Sequence, residues 1–401
     1  MSKEKRSLFN MIFGKEIQKI VNESTLKLLS GYNATYTNIS DEVEENLIAK
    51  QCIHVIATHC AKMMPKHYKQ NGKVKNHIQG IINYVISVRP NPYMTVYDFI
   101  YKVVSLLLAQ NNEYIYIDID DNGNLKGLYP LNPLFCTLIE NDNEIWLKFQ
   151  FLDGNIYYVK YNRIIHLRNF FTRHDFFGET NETLKSALET QSVADDGIKN
   201  AIKISASLRG VLKASQAMLK DKDIEEMKNN FVTSLLSSSN GIGGLDARLD
   251  FKEINLNPVL LDKEQLAMVN GNIYGYFMIS EDIIKSKYTA DEWNAFYESV
   301  LEPKAIQMGQ AFTNAIFSEK AIKDGHRIEF SVNRIKYAKT ETKIQLLKEV
   351  GVLGLITVDE GREILDLPAI GGEEGSKRLQ TLNVINANLA DKYQGGNVND
   401  K

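Results

Sequence analysis

The sequence predicts an α+β fold, and three observations carry that prediction. Two strongly apolar helical stretches lie before residue 111. From Glu113 to Asn169 the apolar period changes from about 3.6 to two, interrupted by Asp121-Asn-Gly123 and Asp153-Gly154, which is the pattern of an antiparallel sheet. From Glu182 onward long amphipathic helices return, with only short strands between them. Helices that flank a strand block, rather than alternate with it, belong to the α+β class.

Residues 1 to about 40 have little periodicity and read as an N-terminal arm. Glu45 to Met64 is a helix. Leu47, Ile48, Ile53, Val55, Ile56, Ala57, Cys60 and Met63 cover more than half its circumference, so it is buried, and Pro65 is expected to end it. In Arg89-Pro-Asn-Pro-Tyr-Met-Thr95 the prolines favour extended backbone, and Thr95 with Asp98 forms a capping-box pattern. The helix this loop delivers, Val96–Gln110, is apolar enough to be buried, and Asn111-Asn112 stops it.

Tyr114 to Asp118 is a strand, and Asp121-Asn-Gly123 signals a two-residue hairpin turn. Ile145, Leu147, Phe149 and Phe151 alternate with Trp146, Lys148 and Gln150, which places the first set towards the core. Ile156 to Lys160 and Arg163 to Arg168 supply further strands.

Glu182 to Ser205 is a helix with a slim face of Leu184, Ala187, Leu188, Ala194, Ile198, Ala201 and Ile202. A strand from Leu208 to Lys213, a helix from Asp221 to Leu236, a turn from Ser237 to Gly244 and a strand from Leu249 to Leu256 form an inserted module. Its charges balance, seven basic against seven acidic over residues 206–256. Asp262 to Ile279 is helical, with Leu266, Val269, Ile273 and Phe277 on one side. Ala290 to Phe317 is a second long helix, carrying Phe296, Val300, Ile306, Phe312 and Ile316 on one side. The Ser280–Thr289 stretch between them has no periodicity of its own. Ile328 to Tyr337 is a strand, Thr342 to Val350 a helix, and Thr357 with Glu360 caps a further short helix. The end of the chain, from Gly395, is polar and reads as a tail.

Composition narrows the function classes. With 401 residues there is room for two or three domains. The hydrophobic fraction of 44% and charged fraction of 24% are those of a soluble globular protein. The net charge is −3, from 47 lysines and arginines against 50 aspartates and glutamates. That argues against tight duplex binding by a single copy, which needs a basic face. Three cysteines, Cys52, Cys60 and Cys136, are too few for a disulfide scaffold. No run reaches the roughly 18 apolar residues of a membrane span. The basic start lacks the apolar length of a signal peptide, so a cytoplasmic protein is expected.

Catalytic and cofactor signatures are missing. Gly14-Lys15 and Gly72-Lys73 lack the spacing of a phosphate loop, and Gly241-Ile-Gly-Gly244 does not follow a strand. Cys52, His59, Cys60 and His67 have no zinc-ligand spacing. Asp195-Asp196 and the group Asp118, Asp120, Asp121 fit solvated surfaces. No enzyme activity, cofactor or metal is expected.

Several stretches, in order, resemble the portal proteins of tailed bacteriophages. They are Ser7-Leu-Phe-Asn-Met-Ile-Phe-Gly14, Asn91-Pro-Tyr-Met-Thr95, Leu106-Leu-Leu-Ala-Gln-Asn-Asn-Glu-Tyr114, Leu128-Tyr-Pro-Leu-Asn-Pro133 and Ile164-Ile-His-Leu-Arg168. The series ends with Gly354-Leu-Ile-Thr-Val-Asp-Glu-Gly-Arg-Glu-Ile-Leu-Asp-Leu-Pro368 ahead of Gly371-Gly372. Departures fall at Gly178-Glu-Thr-Asn181 and Asn141-Asp-Asn-Glu144, both turns.

The resemblance implies a 1–40 arm, a wing over 41–180 with its antiparallel sheet, and a helical stem from 181–205 and 257–279. Between the stem helices lies a clip module, 206–256. A tunnel loop, long helix and return to the wing follow over 280–336, and a small helical crown with a tail over 337–401. It implies a homo-oligomeric ring, a dodecamer, at one capsid vertex, through which genomic double-stranded DNA passes during packaging and ejection. The implied partners are the terminase large subunit, head–tail adaptor proteins, and major capsid and scaffold proteins, with DNA a transient contact and no membrane. The implied location is the virion, with host cytoplasm during assembly. Lys285 and Lys287, in the implied tunnel loop, are the candidate DNA-channel contacts; two solvated lysines are the plainer alternative. Alternative functions are a nucleic-acid-processing packaging enzyme, or a head–tail adaptor or scaffold ring.

Overall fold

A computed structural model of the chain describes residues 27–28, 35–37, 43, 45–72, 74–141, 143–205, 210–214, 221–237, 249–253, 262–331, 340–365 and 367–380. Outside these residues lie most of the 1–40 arm, the 238–244 turn, residues 254–256 and 332–337 of two expected strands, the first five residues of 257–279, and the 381–401 tail. The described residues divide between two compact units, one drawn from 1–58, 99–118 and 128–303, the other from 59–98, 119–127 and 304–401.

Strands β1 (Lys27–Leu28) and β2 (Thr35–Thr37) precede helix α1 (Leu47–Ala61). Asn46 caps that helix, its side-chain oxygen accepting the N–H groups of Ile48 and Ala49, each at 3.0 Å. The helix ends at Ala61, short of the expected stop, and Pro65 lies within strand β3 (Met64–Asn71), which pairs with β4 (Val74–His77). Pro65 and His67 are the inward-facing residues at the start of β3. A strand whose buried positions are a proline and a histidine does not carry the usual apolar alternation, so the sequence gives it no signal. Helix α2 (Ile81–Ser87) follows, and α3 (Val96–Gln110) starts at the expected capping box, with Asp98 N donating to Thr95 Oγ1 at 3.2 Å.

The strand block contains β5 (Asn112–Ile119), β6 (Leu125–Leu131), β7 (Phe135–Asn141), β8 (Glu144–Gln150), β9 (Ile156–Lys160) and β10 (Ile164–Arg168). One sheet runs β1-β7-β8-β9 with β2 also on β7, and another runs β10-β5-β6. The β5–β6 connection is the five residues 120–124, and the turn inside the Asp120–Asn124 backbone pair is three residues long, one more than expected. Asp120 N donates to Asn124 O at 3.0 Å, Gly123 N to Asp120 O at 2.9 Å, and Gly123 takes φ 81°. The Asp120 carboxylate selects this loop by accepting the N–H groups of Asn122 and Asn124.

In the first unit Tyr114, Leu138, Leu147, Phe149, Phe151, Tyr157, Val159 and Ile164 form the core. Tyr114 stacks on His166 and meets Phe149 edge-on. The expected alternation along β8 holds for Leu147 and Phe149, but Ile145 is exposed and Trp146 is buried. Strand β8 has neighbours on both sides, so Trp146, opposite Ile139 and Lys160, is covered, with the Lys160 ammonium 5.3 Å from its ring centre.

Helix α4 (Glu182–Ser205), strand β11 (Gly210–Ala214), helix α5 (Asp221–Ser237) and strand β12 (Leu249–Glu253) come next, and β11 pairs antiparallel with β12. Helix α6 (Lys263–Tyr276) packs against α4. Leu184, Leu188, Ala194 and Ala201 of α4 are buried within the chain. The remaining elements are α7 (Glu281–Ile284), α8 (Ala290–Phe296), a π-helical segment (Tyr297–Leu301), α9 (Glu302–Ile316), α10 (Glu319–Lys323) and β13 (His326–Ser331). They are followed by α11 (Thr340–Val352), β14 (Leu353–Thr357), α12 (Val358–Ile364), α13 (Gly372–Ser376) and β15 (Arg378–Gln380).

In the second unit the sheet order is β13-β3-β4. His67 Nε2 and His326 Nδ1 share a hydrogen bond of 2.8 Å on this sheet. Burial, with His326 and His77 nearby, pushes His67 down to about 4.

Candidate functional site

The stretch between α6 and α9 holds both candidate lysines. Helix α6 opens at a capping box formed by Asp262 and Gln265 and closes at Phe277. Beyond it Met278 takes φ 54°, Met278 N donates to Gly275 O at 3.2 Å, and Ile279 N to Tyr274 O at 3.1 Å. These two bonds around a left-handed residue make a Schellman stop, with Met278 where glycine is usual. Ile279, next in the chain, is buried.

The Ser280–Thr289 stretch then forms an element the sequence did not suggest, the single turn α7. The Ser280 hydroxyl caps it by accepting Ile283 N–H, and Ile283 is buried. The turn ends in a second Schellman stop. Ser286 takes φ 57°, Ser286 N donates to Ile283 O at 3.2 Å, and Lys287 N to Asp282 O at 2.9 Å. Neither stop has glycine at its left-handed position, so the usual sequence marker is missing at both.

The two lysines differ in surroundings. Lys285 Nζ lies 2.6 Å from Glu281 Oε1, four residues earlier, and that hydrogen bond and charge raise the lysine's pKa. Lys287 is exposed, and its side chain forms no ion pair with any described residue. Next to it the Tyr288 ring stacks on Trp293, with centroids 5.3 Å apart. Thr289 caps α8 in a capping box with Glu292, whose carboxyl is held below its ordinary range by the Thr289 N–H and hydroxyl. The loop is therefore pinned at both ends, and Lys287 is its one uncompensated cation.

The helix that leaves the loop is not regular. Pro303 has no N–H to give to Ser299 O, and its ring would press on that carbonyl in an α-helix. The chain widens into the π-segment Tyr297–Leu301 just before it. Phe296, Val300, Leu301, Ala305, Met308 and Phe312 are buried, whereas Ile306 is exposed. The stripe read from an unbroken period, with Ile306 inside, is corrected: the wide turn shifts the buried face by one residue.

At the other end of the helix pair lies a polar knot. Asn111, at φ 58° and buried, donates through Nδ2 to Asn181 Oδ1 and, at 3.0 Å, to Tyr276 OH. Tyr276 OH donates to Asn181 Oδ1 at 2.6 Å, and Asn181 Nδ2 donates to Ala109 O. The knot thus ties the end of α3 to the start of α4 and the end of α6. Beside it, Asn112 Oδ1 accepts Gly178 N–H at 2.8 Å. A Cβ on Gly178 would lie 2.3 Å from Asn111 O and 2.4 Å from Asn169 O, so the chain passes there only as glycine. From the sequence, Asn111-Asn112 reads only as a helix stop.

The other residues singled out from the sequence have structural surroundings. Asp195 accepts Gln191 Nε2, Asp196 pairs with Lys199, and Cys52 and Cys60 are buried. Among the described residues, no three His, Cys, Asp or Glu side chains are grouped so as to hold a metal ion, and no helix is long and apolar enough to cross a membrane.

The family model described as "Phage portal protein" matches residues 48–366. No curated protein sequence matches the chain. Among solved structures, the neck of an empty gene transfer agent (GTA) particle computed with C6 symmetry is 17% identical, with TM-score 0.62 over 85% of this chain and 97% of that one. The neck of the native particle, computed with C12 symmetry, is 16% identical, with TM-score 0.58 over 84% and 97%. A chain of the native GTA virion is 17% identical, with TM-score 0.58 over 82% and 91%. At these identities the likeness is one of fold.

Proposed function

The chain belongs to the phage portal protein family, and from that premise we propose that it assembles into a closed homo-oligomeric ring, a dodecamer, at one vertex of a capsid. The family match over most of the chain is the observation that carries this reading. The C6 and C12 symmetry of the similarly folded GTA necks supports a ring. Double-stranded DNA enters and leaves through the ring. We assign residues 41–180 to the wing, α4 and α6 to the stem, 206–256 to the clip, 280–336 to the tunnel loop, long helix and return, and 337–401 to the crown and tail. The clip receives the terminase large subunit and later the head–tail adaptors. Capsid and scaffold proteins surround the ring, which works in the virion after assembly in the host cytoplasm.

The loop chemistry refines the role of the two lysines. Lys285 is already neutralised by Glu281, so a ring presents one uncompensated cationic band, made of Lys287, in place of two. Duplex phosphates pass at about one charge per 1.7 Å of axis. Each exposed contact is weak and screened within about a Debye length, which lets DNA slide. The test compares Lys287→Gln with Lys285→Gln in rings whose integrity is confirmed by negative-stain imaging. Lys287→Gln is expected to lower packaging or retention of DNA more than Lys285→Gln, and more so at low salt. Equal, wild-type-like packaging by both variants across salt would leave the lysines as surface residues.

A further inference from the structure

The sheet β13-β3-β4 carries a histidine on each strand, and two of them touch. His67 Nε2 and His326 Nδ1 are 2.8 Å apart. Lys69 is the residue opposite His326, so His67, two positions from it, stands on the same sheet face. His67 is buried, and the Phe317 ring just beyond α9 packs on both imidazoles, with centroids 4.9 and 5.6 Å away.

The neutral pair is satisfied because one ring supplies an N–H and the other a lone pair. A first added proton leaves the bond intact, since the cationic ring donates and the neutral ring accepts. A second proton puts two N–H groups and two positive charges face to face, and the bond is lost. The surroundings give that state no relief. Among the described residues, His326 and His77 are the groups whose charge acts on His67, and both oppose a proton there. Lys69, opposite His326, is a further cation. Glu329 on β13 and Glu319 on α10 are paired with Lys75 and Lys323, and Asp324 is exposed. From α2 comes Asn83, which does not titrate. Its Oδ1 accepts His67 N–H at 3.1 Å and His77 Nε2–H at 3.0 Å, so a charged His77 keeps that bond.

Strand β13 is fastened unequally along its length. Before His326 the chain enters through Gly325, at φ 91°, whose carbonyl accepts Gln70 N–H at 2.9 Å. Two residues after His326, Ile328 N–H donates at 2.9 Å to Thr313 Oγ1 of α9, a bond without a titratable group.

We propose that the His67–His326 contact is a proton-operated latch, in which the second proton parts the His326 end of β13 from β3 while Ile328 stays held. Acid favours the open form because buried His67 takes a proton less readily when the contact is closed than when it is open. The latch is shut at neutral pH. The pair titrates as a unit, so opening is governed by its second step.

Hydrogen exchange in the full chain at pH 7 and pH 4.5, corrected for the intrinsic pH dependence of exchange, tests this. In the wild type, protection over residues 66–71, which include Gln70, is expected to fall at least about tenfold on acidification. Protection of Ile328 and of the β7–β8 pair is expected to persist. His326→Gln cannot gain a proton, yet its amide can still meet His67, so its protection should change by less than about threefold. His67→Gln takes its place if that variant lacks wild-type protection at pH 7. Unchanged wild-type protection at pH 4.5 overturns the proposal. So does acid opening of equal size in the variant, because another group would then be the trigger. Loosening of β7–β8 to the same degree overturns it as well, since that is acid unfolding of the whole chain.

Discussion

Glu113 is fully buried and neither carboxylate oxygen has a hydrogen-bond partner among the described residues. Burial raises its pKa well above the ordinary glutamate value of 4.5, with the Lys102 charge opposing in part. The folded chain therefore keeps a proton that the unfolded chain releases, so this group's contribution to stability is best at or below pH 4.5. It declines as pH rises towards the folded-state pKa, by at most about 1.4 kcal/mol per pH unit. Glu113→Gln should flatten that slope and raise the denaturation midpoint at pH 8 more than at pH 5. A variant that unfolds with the wild-type pH dependence would show that Glu113 is ionised in the folded chain. From the sequence, a glutamate beside two asparagines after a helix reads as a solvent-facing stop. Its burial follows from what packs over it, which no local pattern records.

Elements were legible where their pattern is local. Helices α3 and α4 match their expected limits, and the capping boxes at Thr95 and Thr357 form as the sequence suggests. Elements with atypical residues at the decisive positions were not: β3 hides behind Pro65 and His67, and α7 ends without glycine. Met278 and Ser286 hold a left-handed conformation that costs a non-glycine residue roughly 1–2 kcal/mol. Glycine at 278 would remove that cost but add unfolded-state entropy worth about 0.5–1 kcal/mol. Met278→Gly should therefore leave the fold intact and raise stability by up to about 1 kcal/mol, read as a shift in urea midpoint. A loss of stability would mean that the exposed Met278 side chain makes contacts that outweigh the strain.

At the scale of the whole molecule, the class, the strand block and the family resemblance were all readable in advance, and the candidate lysines do share one loop. Their inequality was not readable, because it depends on the single turn that brings Glu281 to Lys285. Nor was the knot of Asn111, Asn181 and Tyr276, whose members are 70 and 95 residues apart. Because it joins three helices, its loss should be felt along all of them. Asn181→Ala leaves Ala109 O, Asn111 and Tyr276 OH short of a partner in a buried site, at a cost of about 2–4 kcal/mol. Hydrogen exchange should speed up together at the end of α3, the start of α4 and the end of α6. Faster exchange confined to α4 would mean that the helices are held separately.

The wide turn at Tyr297–Leu301 has a consequence for how this part of the chain can change length. A helix advances about 100° per residue, so inserting one residue normally swings everything beyond it off its face. Here the extra residue is already absorbed, and the downstream apolar side chains are set to the shifted phase. Counted without interruption, Phe312 would fall about 160° round the axis from Phe296; with the wide turn it is buried, and Ile306 faces out. Deleting one residue from this turn would therefore not restore an ideal helix but scramble the face of α9, while returning Pro303 to a carbonyl it cannot accommodate. In the language of inheritance, Pro303 and the added residue form a single unit of variation, and relatives should keep both or lack both.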